Sequence, residues 1–276
     1  MGSLVAALAS YLDARSHRGR WLLRMEDLDP PRESREAADQ ILFALDALDL
    51  HWDGPVLYQS TRHAAYEAAI QALQAQDKLF ACDCSRQQLQ EFTGIYPGTC
   101  RERGLAAGAG TAIRLRITDA DICYEDRLQG RQCQNLEKDV GDFIIHRKDG
   151  LFAYQLAVVV DDAHQHVTHV VRGIDLMDST PRQLYLMQLL GKTAPRYAHI
   201  PVIVDTQGQK LSKQQMAAPI DPAGKGALLT KALVYLQQEP LPELALAPAN
   251  EVLAWAVDHW SPQPLTGQTS LPEVTV

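Results

Sequence analysis

The sequence predicts an α/β fold in which helices cover a sheet, and three observations carry that prediction. A helix, a short apolar strand and two more helices follow one another up to Asp77. The same alternation resumes after an interruption at residues 80–144. Carboxylates and lysines fall just past predicted strand ends, the place where open α/β sheets bind ligands. The chain has 276 residues, enough for one large or two modest domains with their own cores.

The elements read as follows. Gly2, Leu4, Val5, Leu8 and Leu12 recur at helical spacing, so the first element is a helix and not a signal peptide, which would need a basic start and no Tyr11 or Asp13. Trp21 to Met25 is an apolar run suited to a buried strand, stopped by Glu26-Asp-Leu-Asp-Pro-Pro-Arg32. Ser34 is a candidate N-cap for a helix to Leu50, and Thr61 to Asp77 is another helix. Ala112 to Ile117 alternates apolar and basic residues as a strand does, and Leu151 to Val160 reads as a further apolar strand, with Asp161 and Asp162 in the loop before a strand at His166 to Gly173. Ser179-Thr-Pro181 starts a helix that runs to Leu190, and Ile200 to Val204 is the next strand. Leu228–Gln238 and Asn250–Trp260 are amphipathic helices.

Composition narrows the class. The chain is 46% hydrophobic and 22% charged, which fits a globular protein and excludes collagen-like, disordered and disulfide-scaffold classes. With 26 basic against 34 acidic residues the net charge is -8, so a nucleic-acid partner must be held by a local basic surface. Arg101, Arg103, Arg114, Arg116, Lys192 and Arg196 are the candidates for it. No run of 18 apolar residues exists to span a bilayer, and the expected location is cytoplasmic.

Three groups of residues can carry chemistry. Cys82, Cys84 and Cys100, with Tyr96 between them, are close in sequence and suit a metal in a reducing compartment, although small buried hydrophobes account for them about equally well. Cys123 and Cys133 have no partner spacing and are expected to be structural thiols. His164, His166 and His169 alternate across a strand and are expected to be ordinary strand and loop histidines. Lys210-Leu-Ser-Lys213 stands in a loop after a strand, where two ammonium groups and a hydroxyl can surround a polyphosphate. Met25-Glu26-Asp27, Tyr154 and Arg172 lie at neighbouring predicted strand ends, so several polar groups converge on one sheet edge.

Leu23-Arg-Met-Glu-Asp-Leu-Asp-Pro-Pro-Arg32, Gly150-Leu-Phe-Ala-Tyr-Gln-Leu-Ala157, Val171-Arg-Gly-Ile-Asp175 and Lys210-Leu-Ser-Lys-Gln214 together resemble the catalytic core of class I glutamyl-tRNA synthetases. The short length and the Cys82, Cys84, Tyr96, Cys100 pattern resemble the short branch of that family. The resemblance implies a Rossmann-like parallel sheet (residues 1–79 and 145–216), a zinc-bearing insertion (80–144) and a helical C-terminal segment (217–276). It implies activation of L-glutamate with ATP and Mg2+, and transfer of the glutamyl group to queuosine in the anticodon loop of tRNA(Asp), by a monomer without membrane contact.

By the same resemblance Glu26 holds the glutamate ammonium, Tyr154 hydrogen-bonds the amino acid, and Arg172 takes a carboxylate. Lys213 stabilises the charge developing on ATP, supported by Lys210, Ser212, Gly2 and Ser3, and one zinc sits on Cys82, Cys84, Tyr96 and Cys100. The family pattern begins with a strand and a His-x-Gly motif, of which Gly2-Ser3 alone matches here. A chain starting at Met1 is therefore expected to lack an inner strand, to be less stable and to activate glutamate poorly. The alternatives are an ordinary glutamyl-tRNA synthetase fragment and an inactive zinc-stabilised RNA-binding module.

Overall fold

The structure, a computed structural model, describes residues 1–29, 34–90, 92, 95–118, 121–205, 207–209 and 224–273. Helix α1 (Gly2–Ser16) buries Val5, Leu8, Ala9 and Leu12, the stripe that its spacing predicts,. Strand β1 (Arg24–Met25) is only two residues long and pairs in parallel with β2 (Leu57–Tyr58). Between them, α2 (Arg35–Ala47) starts where expected: the Ser34 hydroxyl accepts a hydrogen bond from the Ala37 amide at 3.0 Å, which satisfies a donor the helix itself cannot,. Helix α3 (His63–Gln74) follows, with Tyr66 and Leu73 fully buried.

The middle of the chain builds an antiparallel sheet and a hairpin. Strand β3 (Leu79–Cys82) leads to α4 (Arg86–Gln90), and β4 (Ala112–Leu115) pairs back onto β3. Strands β5 (Asp121–Asp126) and β6 (Gly130–Asn135) form the hairpin, and α5 (Leu136–Asp139) is capped by Asn135. Strand β7 (Ile144–His146) completes the order β3-β4-β7. Cys123 and Cys133 are directly opposite in the hairpin and joined by a disulfide, so they are not the free thiols that their sequence positions suggest. Antiparallel register makes neighbours of residues ten apart, which spacing rules for metal sites do not register.

Residues Leu151–Val160 are not a strand. Helix α6 (Tyr154–His164) occupies the segment and buries Gln155 through Val159 in succession. An element covered on all sides loses its amphipathic signature, so a buried helix and a buried strand leave the same apolar run. The histidines are correspondingly displaced: His164 ends α6, His166 takes a positive φ in the loop, and His169 opens β8 (His169–Gly173).

Helix α7 (Thr180–Leu189) then starts with Pro181 in its first turn, as predicted,. Strands β9 (Arg196–Ile200) and β10 (Val202–Val204), helices α8 (Lys225–Tyr235) and α9 (Ala249–His259), and strand β11 (Ser270–Pro272) complete the order.

The sheet that frames the site runs β6-β5-β9-β8. Strands β8 and β9 are parallel, with Arg172 opposite His199, and β5 joins β9 in parallel through Asp126 and Tyr197. Asp126, His199 and Arg172 thereby arrive on three adjacent strands. One core joins α1 and Leu45 of α2 to α8 and α9, and a second joins α3, β3, β4 and β7 to α6 and α7. Among the described residues, no helix is long and apolar enough to cross a membrane.

Candidate active site and sulfur cluster

Five charged or hydrogen-bonding side chains meet where β1, α6 and β8 come together. Arg24 donates from Nη1 to Asp162 Oδ1 at 2.8 Å and to Gln165 Oε1 at 3.0 Å, and its Nη2 stands 3.6 Å from Glu26 Oε1. Arg172 acts electrostatically on Glu26, Asp162 and Tyr154, and Glu26 acts on Tyr154, so all five groups lie near one another. Glu26 keeps 43% of its side chain in contact with solvent, so a ligand has access to it. Removal from bulk water nonetheless pushes its carboxyl upward, with Arg24 opposing and Asp162 reinforcing the shift,. Asp162 is pushed up by the same burial. A guanidinium, a carboxylate and a phenol arranged in this way suit a ligand that carries both charges, such as an amino acid.

Arg172 is anchored from behind. Its Nε donates to His199 Nε2 at 3.1 Å, and its Nη2 donates to Thr180 Oγ1 at 2.8 Å and to Gln183 Oε1 at 2.9 Å. His199 Nδ1 in turn meets Asp126 Oδ2 at 2.6 Å. Thr180, Gln183 and His199 have no exposed surface at all, and Asp126 is 4% exposed. Burial alone would raise the Asp126 carboxyl, but hydrogen bonds from His199 and from three backbone amides hold it below the ordinary carboxylate range,.

Beneath Asp162, the fully buried Asp161 accepts hydrogen bonds from Gln59 Nε2 at 3.0 Å, Arg62 Nε at 3.0 Å and Tyr66 Oη at 2.6 Å, tying α6 to α3. Sequence reasoning places Glu26, Tyr154 and Arg172 together, as found, but it misses Asp162, His199, Asp126, Thr180 and Gln183. Arg24 lies inside the Leu23–Arg32 motif but is not singled out by it; the others are brought in by strand register and by the helical phase of α6 and α7. Lys210, Ser212 and Lys213 lie outside the described residues. Gly2 and Ser3 form the first turn of α1.

The sulfur cluster is compact. The sulfurs of Cys82, Cys84 and Cys100 all lie within 4.8 Å of one another, with Cys84 and Cys100 3.4 Å apart, near enough for one ion to reach all three with bonds of about 2.3 Å after small shifts. The Tyr96 oxygen is 3.5 Å from Cys82 Sγ and 4.0 Å from Cys84 Sγ, and it accepts the Cys100 amide at 2.9 Å. Burial would raise the Cys82 thiol, but the Tyr96 hydroxyl and the Arg114 guanidinium bring it down to about 7. Burial and the neighbouring sulfurs push Cys84 up to about 11. A cation is the natural way for three crowded sulfurs to shed their protons, so these residues fit a metal.

The six candidates for a basic edge have different surroundings. Arg101 pairs with Asp142, Arg103 with Asp83 and Arg116 with Glu102, while Arg114 is 5% exposed with its guanidinium carbon 3.8 Å from the centre of the Tyr96 ring. These four arginines brace the sulfur cluster and its sheet, and of the six candidates Arg103, Lys192 and Arg196 are exposed.

Comparisons with known proteins agree with this architecture. The family described as class I tRNA synthetases (E and Q), catalytic domain, matches residues 1–223. A protein of Pseudomonas putida named glutamyl-Q tRNA(Asp) synthetase is 54% identical over 272 residues, covering 99% of this chain and 90% of its own. A protein of the same name from Pseudomonas aeruginosa is 53% identical and is covered to 92%. Among solved structures, a glutamate-tRNA synthetase from Elizabethkingia anophelis superposes with a TM-score of 0.80 over 98% of this chain at 21% identity, and a glutamate tRNA ligase from Elizabethkingia meningosepticum, in complex with its amino acid, with 0.78 at 19%. The chain spans 65% and 64% of those two chains, and at such identity the likeness is one of fold.

Proposed function

The chain belongs to the catalytic-domain family of class I tRNA synthetases of the E and Q type, and from that premise we propose that it activates L-glutamate with ATP and transfers the glutamyl group to queuosine of tRNA(Asp). The glutamate α-carboxylate attacks the α-phosphorus of ATP, releasing pyrophosphate and leaving a mixed anhydride. A hydroxyl of the queuosine cyclopentenediol then attacks the anhydride carbonyl, and AMP departs.

The paired charges around Arg172 and Glu26 carry this reading. Arg172 receives a carboxylate of glutamate, Glu26 holds the ammonium, Tyr154 fixes the backbone of the substrate by a hydrogen bond, and Arg24 with Asp162 sets the position of Glu26. Lys213, with Lys210 and Ser212, neutralises charge on the ATP phosphates, and Gly2 and Ser3 contribute at the start of α1. Mg2+ accompanies ATP. Cys82, Cys84, Cys100 and Tyr96 would hold zinc, which would fasten β3 to the segment around residue 100 in a structural role.

The relatives' shared name favours queuosine over the terminal adenosine of tRNA as acceptor. Glutamate-dependent exchange between ATP and pyrophosphate tests the first step. Exchange is expected with L-glutamate and not with L-aspartate or L-glutamine, and its absence would return the chain to the inactive RNA-binding alternative.

A further inference from the structure

We propose that Asp126 and His199 form a buried positioning relay that sets the guanidinium of Arg172 for glutamate. The inference rests on the glutamate reading of the site and goes beyond it, by naming residues that touch no substrate and control its affinity.

The hydrogen bonds assign the proton. Asp126 Oδ1 accepts three backbone amides, Leu128 at 3.0 Å, Gln129 at 2.9 Å and His199 at 3.2 Å, which leaves Oδ2 for the imidazole at 2.6 Å. A carboxylate accepts and does not donate, so Nδ1 of His199 carries the proton and Nε2 is bare. A bare Nε2 is what Arg172 Nε–H needs at 3.1 Å, and the Thr180 hydroxyl donates to the same nitrogen at 3.2 Å while its oxygen accepts from Arg172 Nη2.

Gln183 Oε1 takes a second bond from Nη2. The guanidinium is therefore gripped along one edge, and Nη1 makes no hydrogen bond among the described residues. Fixing a planar fork in this way removes the entropy that a free arginine would lose on binding a carboxylate.

The relay makes a sharp prediction for an almost isosteric change. In Asp126→Asn the three backbone amides keep the side-chain oxygen where Oδ1 was, so the amide NH2 faces His199 Nδ1. The imidazole must then shift its proton to Nε2, where N–H meets N–H of Arg172. An Asp that sets a histidine tautomer in hydrolytic triads works by the same logic.

Initial rates of glutamate-dependent exchange, with glutamate and ATP varied separately, test it. Asp126→Asn and His199→Leu should raise the KM for glutamate by about tenfold or more while the KM for ATP stays within about twofold. His199→Gln, whose amide oxygen reaches the place of Nε2, should recover most of the affinity, and adding Asp126→Asn to it should change nothing further. Equal losses toward both substrates, or an unchanged KM for glutamate, would overturn the relay.

The wild-type protein supplies a test that needs neither folded variants nor turnover. Nitrogen-15 NMR of the histidines should find His199 protonated at Nδ1 and bare at Nε2, and the opposite tautomer would refute the proposal. A wild-type protein that binds no glutamate but shows the expected tautomer would sink the glutamate reading and leave the relay standing.

Discussion

On the proposed function Arg172 and Lys213 have different places in the activation step, and their variants should separate accordingly. Truncating Arg172→Ala removes one or two charge-assisted hydrogen bonds to the amino acid, so the KM for glutamate should rise by about 10- to 100-fold with a smaller change in kcat. Lys213→Ala removes charge stabilisation that matters as phosphate charge develops, so kcat should fall by about 100-fold or more. Steady-state kinetics of the exchange reaction distinguishes the two patterns.

Glu26 adds a pH dependence. Burial pushes its carboxyl upward, and only the ionised form attracts an ammonium. As pH falls from neutrality, Glu26 takes up its proton before an ordinary carboxylate would, so the KM for glutamate should climb early. Glu26→Gln should bind poorly throughout and flatten that limb of the profile.

The sequence made Glu26, Tyr154 and Arg172 visible because each stands in a short polar motif beside an apolar run. Asp126 and His199 were hidden, since nothing local distinguishes a histidine of a relay from any other histidine on a buried strand.

Among the elements, α6 shows what a sequence can and cannot convey. Its existence as a buried apolar segment is evident, but its type is not, because Gln155 through Val159 are all buried and no polar face marks a helical period,. The cost of the misreading is local: the strand reading leaves Asp161 and Asp162 in a loop, whereas the helix points Asp162 at Arg24 and Asp161 at Arg62.

Asp161→Ala would strand the Arg62 guanidinium and leave the Tyr66 hydroxyl without its acceptor. A loss of about 3–5 kcal/mol is expected on denaturant unfolding. The sulfur cluster is the second element-scale feature that spacing alone left open. Cys82→Ser should lower bound zinc from about one per chain to well under half and expose the β3 and β4 region to proteolysis, as metal analysis and limited digestion would show. A zinc content unaffected by the change would remove Cys82 from the ligand set.

At the scale of the molecule, the α/β architecture was legible from the alternation of elements, and the register was not. The hairpin of β5 and β6 went unseen because Asp-Ile-Cys-Tyr-Glu-Asp carries too few apolar residues to read as a strand, yet it delivers Asp126 to the site and holds the Cys123–Cys133 disulfide.

The charge balance of -8 also acquires structure. Four arginines that the sequence offered to RNA are committed to Asp142, Asp83, Glu102 and the Tyr96 ring. On the proposed function, a chain of net negative charge holds tRNA through local basic groups, and the modified nucleotide carries the recognition.

The most direct measurement is the destination of the glutamyl group. With ATP and labelled L-glutamate, the protein should label tRNA(Asp) that contains queuosine, leave tRNA(Asp) without queuosine unlabelled, and keep the label when the 3' terminal adenosine is removed. Label on the terminal adenosine, or equal labelling of the two tRNA preparations, would contradict the assignment.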